Sequence, residues 1–204
     1  MRKKHLAILL SKLSPHKRPK LRWEAYTLDA ESAAEIAHIA GQLNDDIHGK
    51  SVIDLGCGTG VLAISASLLG ARFVVGVDID RDAVNVAEEN VEAAGAEVEF
   101  VIGDIDCIVG HFDTTIMNPP FGSWRRGADV RFLEKAIEIS DVVYSLHKRG
   151  DFNREFLRRK VSSFGGMVDR IYEMKITIPR TFDFHQKERY LVEVDLYRIL
   201  KVKC

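Results

Sequence analysis

Hydrophobic positions along the chain change their period several times, and each change predicts an element. Apolar residues at helical spacing over residues 3–13 predict a short helix, ended by Ser14-Pro15. Residues 15–28 break that pattern, being irregular and basic (Lys17, Arg18, Lys20, Arg22) with Trp23 and Tyr26 interleaved. Asp29-Ala30-Glu31 opens a second helical pattern that runs to about Leu43. Short apolar runs then alternate with helical stretches. Strands are predicted at 51–55, 73–78, 97–101, 114–117 and 142–146, and helices at 60–69, 80–94, 130–139 and 153–164. Such alternation implies a parallel sheet wound on both faces. Residues 168–178 and 190–201 break the rhythm as two long strands joined directly, which predicts an antiparallel hairpin closing the sheet. The expectation is an α/β fold with a doubly wound, seven-stranded, mostly parallel sheet and a C-terminal antiparallel hairpin. Residues 1–28 are expected to form a basic helix and segment packing on a domain of residues 29–204.

Composition narrows this outline only slightly. The 204 residues, 46% of them hydrophobic, suit one α/β domain with a sizeable core and leave little for a separate recognition domain. No apolar run approaches the roughly 18 residues needed to span a bilayer. The basic start Met1-Arg2-Lys3-Lys4-His5 before Leu6–Leu10 lacks a small-residue cleavage pattern, so it is not read as a signal peptide. Cys57, Cys107 and Cys204 are widely spaced and contain no CxxC pair, which argues against a disulfide framework or zinc site and for a reducing, cytoplasmic setting.

Charge is more informative by segment than in total. The net charge of −1 divides into eight Lys/Arg against one Glu in residues 1–27, three against seventeen acids in 28–118, and eighteen against twelve in 119–204. Two basic segments thus enclose an acidic one, as expected if they meet a polyanion around a site.

Two motifs carry chemistry. The apolar run Val52-Ile53-Asp54-Leu55 enters Gly56-Cys57-Gly58-Thr59-Gly60-Val61 and then a helix of small and apolar residues. Glycines there let the backbone turn tightly and approach a ligand, and the helix start offers free N–H groups. In dinucleotide sites that end faces a pyrophosphate. Asp54 would repel phosphate and suits a cationic ligand, such as a sulfonium carrying an amino-acid tail, as in S-adenosylmethionine. Asp78, followed by Ile79, closes the second strand and can accept from both ribose hydroxyls, whereas Asp80 reads as a helix N-cap. Asp104, with Ile105, ends the third strand and would face an adenine amino group. The second motif, Asn118-Pro119-Pro120-Phe121, follows the strand at 114–117. Two prolines remove two N–H donors, leaving the Asn118 side-chain oxygen and the Pro119 carbonyl as acceptors for a planar amino group. Phe121 offers a face for stacking. The pair of motifs points to methyl transfer onto an exocyclic nitrogen, with adenine the preferred base, single-stranded or flipped. Trp124, Arg125 and Arg126 could clamp a neighbouring nucleotide; His185 and Lys187, with Lys17, Arg18 and Lys20, could meet its backbone.

The chain resembles the methyltransferase-like small-subunit rRNA adenine-N6 methyltransferases, in their archaeal form, over nearly its full length. The resemblance rests on Asp54 to Leu62, Gly76-Val77-Asp78-Ile79-Asp80, Ile116 to Gly122, Tyr144-Ser145-Leu146-His147-Lys148, and Phe184-His185 with Val192 to Leu196. It implies a Rossmann-like class I fold and cofactor contacts at Gly56, Thr59, Val61, Asp78, Asp104 and Ile105, with Asn118 to Phe121 holding the adenine. The wider cofactor set is expected to include Asp54, Gly58, Gly60 and Ile79. The family tends to read Glu-Gln-Tyr-x-Thr before the first long helix; here the stretch is Glu24-Ala25-Tyr26-Thr27-Leu28. The Gln contact is lost, and Tyr26, with Thr27 or Leu28, is left to meet the cofactor. The resemblance also implies a small zinc-binding activator subunit. Two other readings compete. A protein-glutamine N5 methyltransferase acting on a release factor would usually carry Tyr at position 121 and an N-terminal recognition domain. A non-catalytic RNA-binding scaffold would need neither the three acids nor the tetrapeptide.

Overall fold

A computed structural model describes residues 1–16, 28–121, 127–179 and 189–202. Helix α1 (Lys3–Leu10) buries Leu6, Ala7 and Leu10 against α2 (Ala30–His38), which continues as one π-helical turn, Ile39–Leu43. Asp29 caps α2, its carboxylate accepting from the Ser32 N–H at 3.0 Å. Five parallel strands follow, β1 (Ser51–Leu55), β2 (Phe73–Asp78), β3 (Glu99–Ile102), β4 (Phe112–Met117) and β5 (Ser140–Lys148). Helices α3 (Val61–Leu68), α4 (Arg81–Ala94), α5 (Ala128–Ile139) and α6 (Asp151–Ser163) lie between or after them. The chain ends in β6 (Gly166–Pro179) and β7 (Arg189–Lys201), antiparallel to each other, with β7 antiparallel to β5. The seven strands lie in the order β3-β2-β1-β4-β5-β7-β6.

The pleat divides the apolar residues between two cores. Val52, Ile116, Tyr144, Leu146, Val194 and Leu196 face α1, α2 and α3. Their neighbours Ile53, Met117, Val143, Tyr197 and Ile199 face α5 and α6. The doubly wound sheet and its closing hairpin therefore agree with the reading of the sequence, and strand limits differ by a few residues at most. The differences are at ends. Pairing with β5 draws β4 back to Phe112, and pairing with β7 lengthens β5 to Lys148. Asp169 is an extra residue, a bulge between Val168 and Arg170, where it meets Arg198 Nη1 at 2.7 Å.

Candidate active site

Strand order reverses at β1, which lies between β2 and β4, so the carboxyl ends of these strands open a crevice where ligands bind in sheets of this kind. The loop from β1 to α3 lines it. Gly56 and Cys57 donate their N–H groups to the Val77 carbonyl at 2.9 and 3.0 Å, folding the loop against β2. Gly56 has φ +72°, and a Cβ there would come within 2.9 Å of the Phe132 ring on α5, so only glycine fits. Thr59 is buried, Gly60 caps α3 from the left-handed region, and Val61 begins the helix.

Asp54 is almost wholly buried beneath this loop. Its Oδ2 accepts the Ala63 N–H at 3.0 Å, in the first turn of α3, while Oδ1 has no hydrogen-bond partner among the described residues. Burial pushes the Asp54 carboxyl up to about 8; the Ala63 N–H opposes the rise and the nearby Asp78 charge adds to it. Asp78 closes β2, its two oxygens accepting from the Gly58 and Asp80 N–H groups, each at 2.8 Å. Burial raises its carboxyl too, against those two N–H groups. Ile79 follows with 43% of its surface exposed, a large apolar side chain beside the half-buried Asp78. Asp80 caps α4, as its sequence position suggests, accepting from Asp82 N–H at 3.2 Å. Asp104 caps the 3₁₀ turn Ile105–Cys107 and pairs with Arg131 of α5, which also pairs with Asp106; Ile105 is buried. Cys57 is buried, and burial raises its thiol well above the usual range.

Asn118 extends from the end of β4. Its Oδ1 is buried and has no hydrogen-bond donor among the described residues. Pro119 is buried, whereas Pro120 and Phe121 are half-buried, with Phe121 packing on the core under α1–α3. Register places Met117 opposite Ser145, so the tetrapeptide runs alongside the end of β5. There the Lys148 ammonium sits 5.6 Å from the Phe121 ring centre. Buried His147 shares a hydrogen bond with Ser145, Nε2 to Oγ at 2.7 Å.

The fold thus gathers Asp54, Gly56 to Val61, Asp78, Ile79, Asp104, Ile105 and Asn118 to Phe121 at one edge of the sheet. Leu28 is placed in the apolar core instead. Lys17, Arg18, Lys20, Tyr26, Thr27, Trp124, Arg125, Arg126, His185 and Lys187 lie outside the described residues. Several neighbours of the site were not singled out from the sequence. Asn90 of α4 donates to the carbonyls of Ser14 and Thr59, both at 3.0 Å, and accepts from Ser14 N–H at 2.7 Å. His16 Nε2 lies 3.3 Å from Asp80 Oδ2. An asparagine amid the apolar positions of α4 was the available signal for the first; nothing local marks the second.

The residues present fit S-adenosylmethionine. Asp54 offers an unused acceptor to a cationic group. Three left-handed glycines open the loop backbone, and Ile79 offers an apolar face beside the Asp78 carboxylate. Among the described residues no cluster of metal-ligating side chains occurs, and no helix is long and apolar enough to cross a membrane.

Comparison with known proteins agrees with this geometry. Residues 26–151 match the methyltransferase small domain. The chain is 38% identical to the rRNA N(6)-adenosine-methyltransferase Mettl5 of Drosophila melanogaster, over 88% of this chain and 87% of that protein. It is 36% identical to the rRNA N(6)-adenosine-methyltransferase METTL5 of Danio rerio, over 97% and 98% respectively. Among solved structures, a candidate RNA methyltransferase from Pyrococcus horikoshii superposes with a TM-score of 0.92 at 45% identity, covering 100% of this chain and 99% of that one.

Proposed function

Since the chain belongs to the methyltransferase small-domain family, within the group that includes rRNA N(6)-adenosine-methyltransferases, we propose that it methylates the 6-amino nitrogen of an adenine in small-subunit rRNA. The carrying observation is the buried Asn118 Oδ1 at the end of β4, which has no donor among the described residues. A buried acceptor without a donor is costly, and the 6-amino group supplies one. With the Pro119 carbonyl as a second acceptor, both amino hydrogens are held by their edge. Phe121 then supports the base by its face.

S-adenosylmethionine is the methyl donor and supplies a carbon bonded to a positively charged sulfur. Asp54 and Asp78 are suited to its amino-acid and ribose ends, Ile79 and Ile105 to its adenine, and the glycine loop to its backbone approach; Asp104 reaches the same end of the crevice. Transfer forms an N–C bond and breaks an S–C bond, so fixed alignment of the amino nitrogen supplies most of the acceleration. Asn118 is neutral and cannot act as a strong base, so the displaced proton leaves to water. The zinc-binding activator implied by the resemblance would act by covering apolar surface. A cytoplasmic setting accords with the free Cys57 and Cys107.

The test is incubation of the protein with methyl-labelled S-adenosylmethionine and, in parallel, unmodified small-subunit rRNA or a release factor, then digestion and identification of the labelled nucleoside or amino acid. Label in N6-methyladenosine, absent with Asn118→Ala while cofactor affinity holds, is the expected result. Label found only in a release-factor glutamine would overturn it.

A further inference from the structure

Helix α5 is the next described element after the tetrapeptide, yet two consecutive residues near its start meet the cofactor crevice. Arg131 Nη2 bridges the carboxyl groups of Asp104 and Asp106, in the turn that follows β3. Phe132 lays its ring against Gly56 of the glycine loop, where an added Cβ would come within 2.9 Å. The start of α5 therefore braces two walls of the crevice at once.

The 3₁₀ turn Ile105–Cys107 is short, and its conformation depends on what holds its ends. Gly103 donates its N–H to the Asp78 carbonyl at 2.9 Å, which sets the start of the turn beside the carboxylate assigned to the ribose. Asp104 caps the turn, its Oδ1 accepting the Asp106 N–H at 3.0 Å. Ile105 is buried in the core that faces α5 and α6. Arg131 meets the same Asp104 Oδ1, so that carboxyl group is held from two directions. Asp104 and Asp106 are like charges two residues apart, and the guanidinium between them offsets their repulsion. The three side chains are 42%, 45% and 65% exposed, so these pairs contribute little to stability. What they fix is the direction of Asp104. A carboxylate has about four lone-pair sites, so one held in this way can still accept an amino N–H.

We infer that Arg131 is a positioning residue for the adenine end of the cofactor: by bridging Asp104 and Asp106 it aims the Asp104 carboxylate at the adenine amino group. This rests on the placing of Asp104 at that end of the crevice. Arg131 acts through Asp104 and does not itself touch the cofactor. Its loss should therefore change which purine the crevice prefers, whereas loss of a mere surface brace would weaken every purine alike.

The test compares the Kd of S-adenosylhomocysteine with that of its 6-oxo analogue, S-inosylhomocysteine, by calorimetry on the full chain. The analogue presents an oxygen where the adenine presents a donor, so a carboxylate there disfavours it. The unaltered protein should prefer the adenosyl ligand by at least about tenfold, the worth of a hydrogen bond to a charged group. Arg131→Ala is expected to lose most of that preference, by weakening the adenosyl ligand alone, at unchanged Tm. Asp104→Ala should abolish the preference, and adding Arg131→Ala to it should change nothing more, because the two act as one unit. Equal weakening of both ligands by Arg131→Ala, or no change in either, would overturn the inference. If Asp104→Ala abolishes the preference and Arg131→Ala keeps it, the placing of Asp104 stands and the role of Arg131 falls. If Asp104→Ala leaves the preference intact, Asp104 does not face the adenine and both fall together.

Discussion

Asp54 shows how much of a residue's chemistry depends on where the sheet puts it. Its place before the glycine loop is plain in the sequence; its burial is not, because that follows from β1 being a central strand covered by α3. A free Asp ionises near 3.9, whereas burial holds this one near 8. A carboxyl whose folded pKa is raised favours the folded state most at low pH, where both states are protonated. That contribution is lost as pH rises from about 4 to about 8. The cofactor-free protein should therefore lose stability over this range through Asp54, and Asp54→Asn should flatten the profile, as thermal unfolding at several pH values would reveal. A cationic ligand favours the ionised form, so its binding should release a proton below pH 8, readable by calorimetry in buffers of different ionisation enthalpy. Asp78→Ala is expected to weaken cofactor binding chiefly, with equilibrium binding as the check; unchanged affinity would remove Asp78 from the site. Asn118 was legible as an acceptor from its prolines, but the lack of a donor to it among the described residues needed the fold.

At the scale of elements, apolar alternation located every strand, yet it could not indicate what ties the C-terminal hairpin to the sheet. Two ionic clusters do so. Buried Asp195 of β7 receives Arg149 Nε at 3.2 Å and Arg154 Nε at 2.7 Å. Arg198, three positions further along β7, donates Nε to Asp46 Oδ2 at 2.8 Å and Nη1 to Asp169 at 2.7 Å. Tyr144 also donates to Asp46, and burial is the main cause that raises its hydroxyl above the usual range. Such pairs read in sequence as surface charges, because their partners lie between 29 and 152 residues apart. Arg198→Met leaves Asp46 without its cation and should cost about 3 kcal/mol, measured by chemical denaturation. Replacing both Arg198 and Asp46 by apolar residues should recover much of that loss. Gly76 adds a steric case. A Cβ there would lie 2.6 Å from the Phe100 ring of β3, so Gly76→Ala must displace that ring and is expected to destabilise by about 1–3 kcal/mol.

At the scale of the whole molecule, the sequence conveyed the wound sheet, the hairpin and the two motifs, since period and glycine placement are local signals. It did not convey how the N-terminus joins the site, because that junction runs through α4. α1 buries Leu6 and Leu10 in the shared core, and the chain beyond it reaches the cofactor crevice. There Asn90 grips Ser14 from both sides and the Thr59 carbonyl from a third contact, all between 2.7 and 3.0 Å. One buried side chain therefore couples the N-terminal arm to the loop that begins α3. Asn90→Ala leaves the Ser14 N–H and two carbonyls without this partner and so removes the tie that its side chain makes between arm and loop. The expected result is a several-fold weaker cofactor affinity, together with faster amide exchange at Ser14, while exchange in β4 and β5 stays as before. Those strands contact neither Ser14 nor Asn90 through any of these bonds, so slowed folding or global loss of stability would accelerate exchange everywhere instead. The pattern of protection, and not its average, is what separates a coupled arm from a merely weakened core.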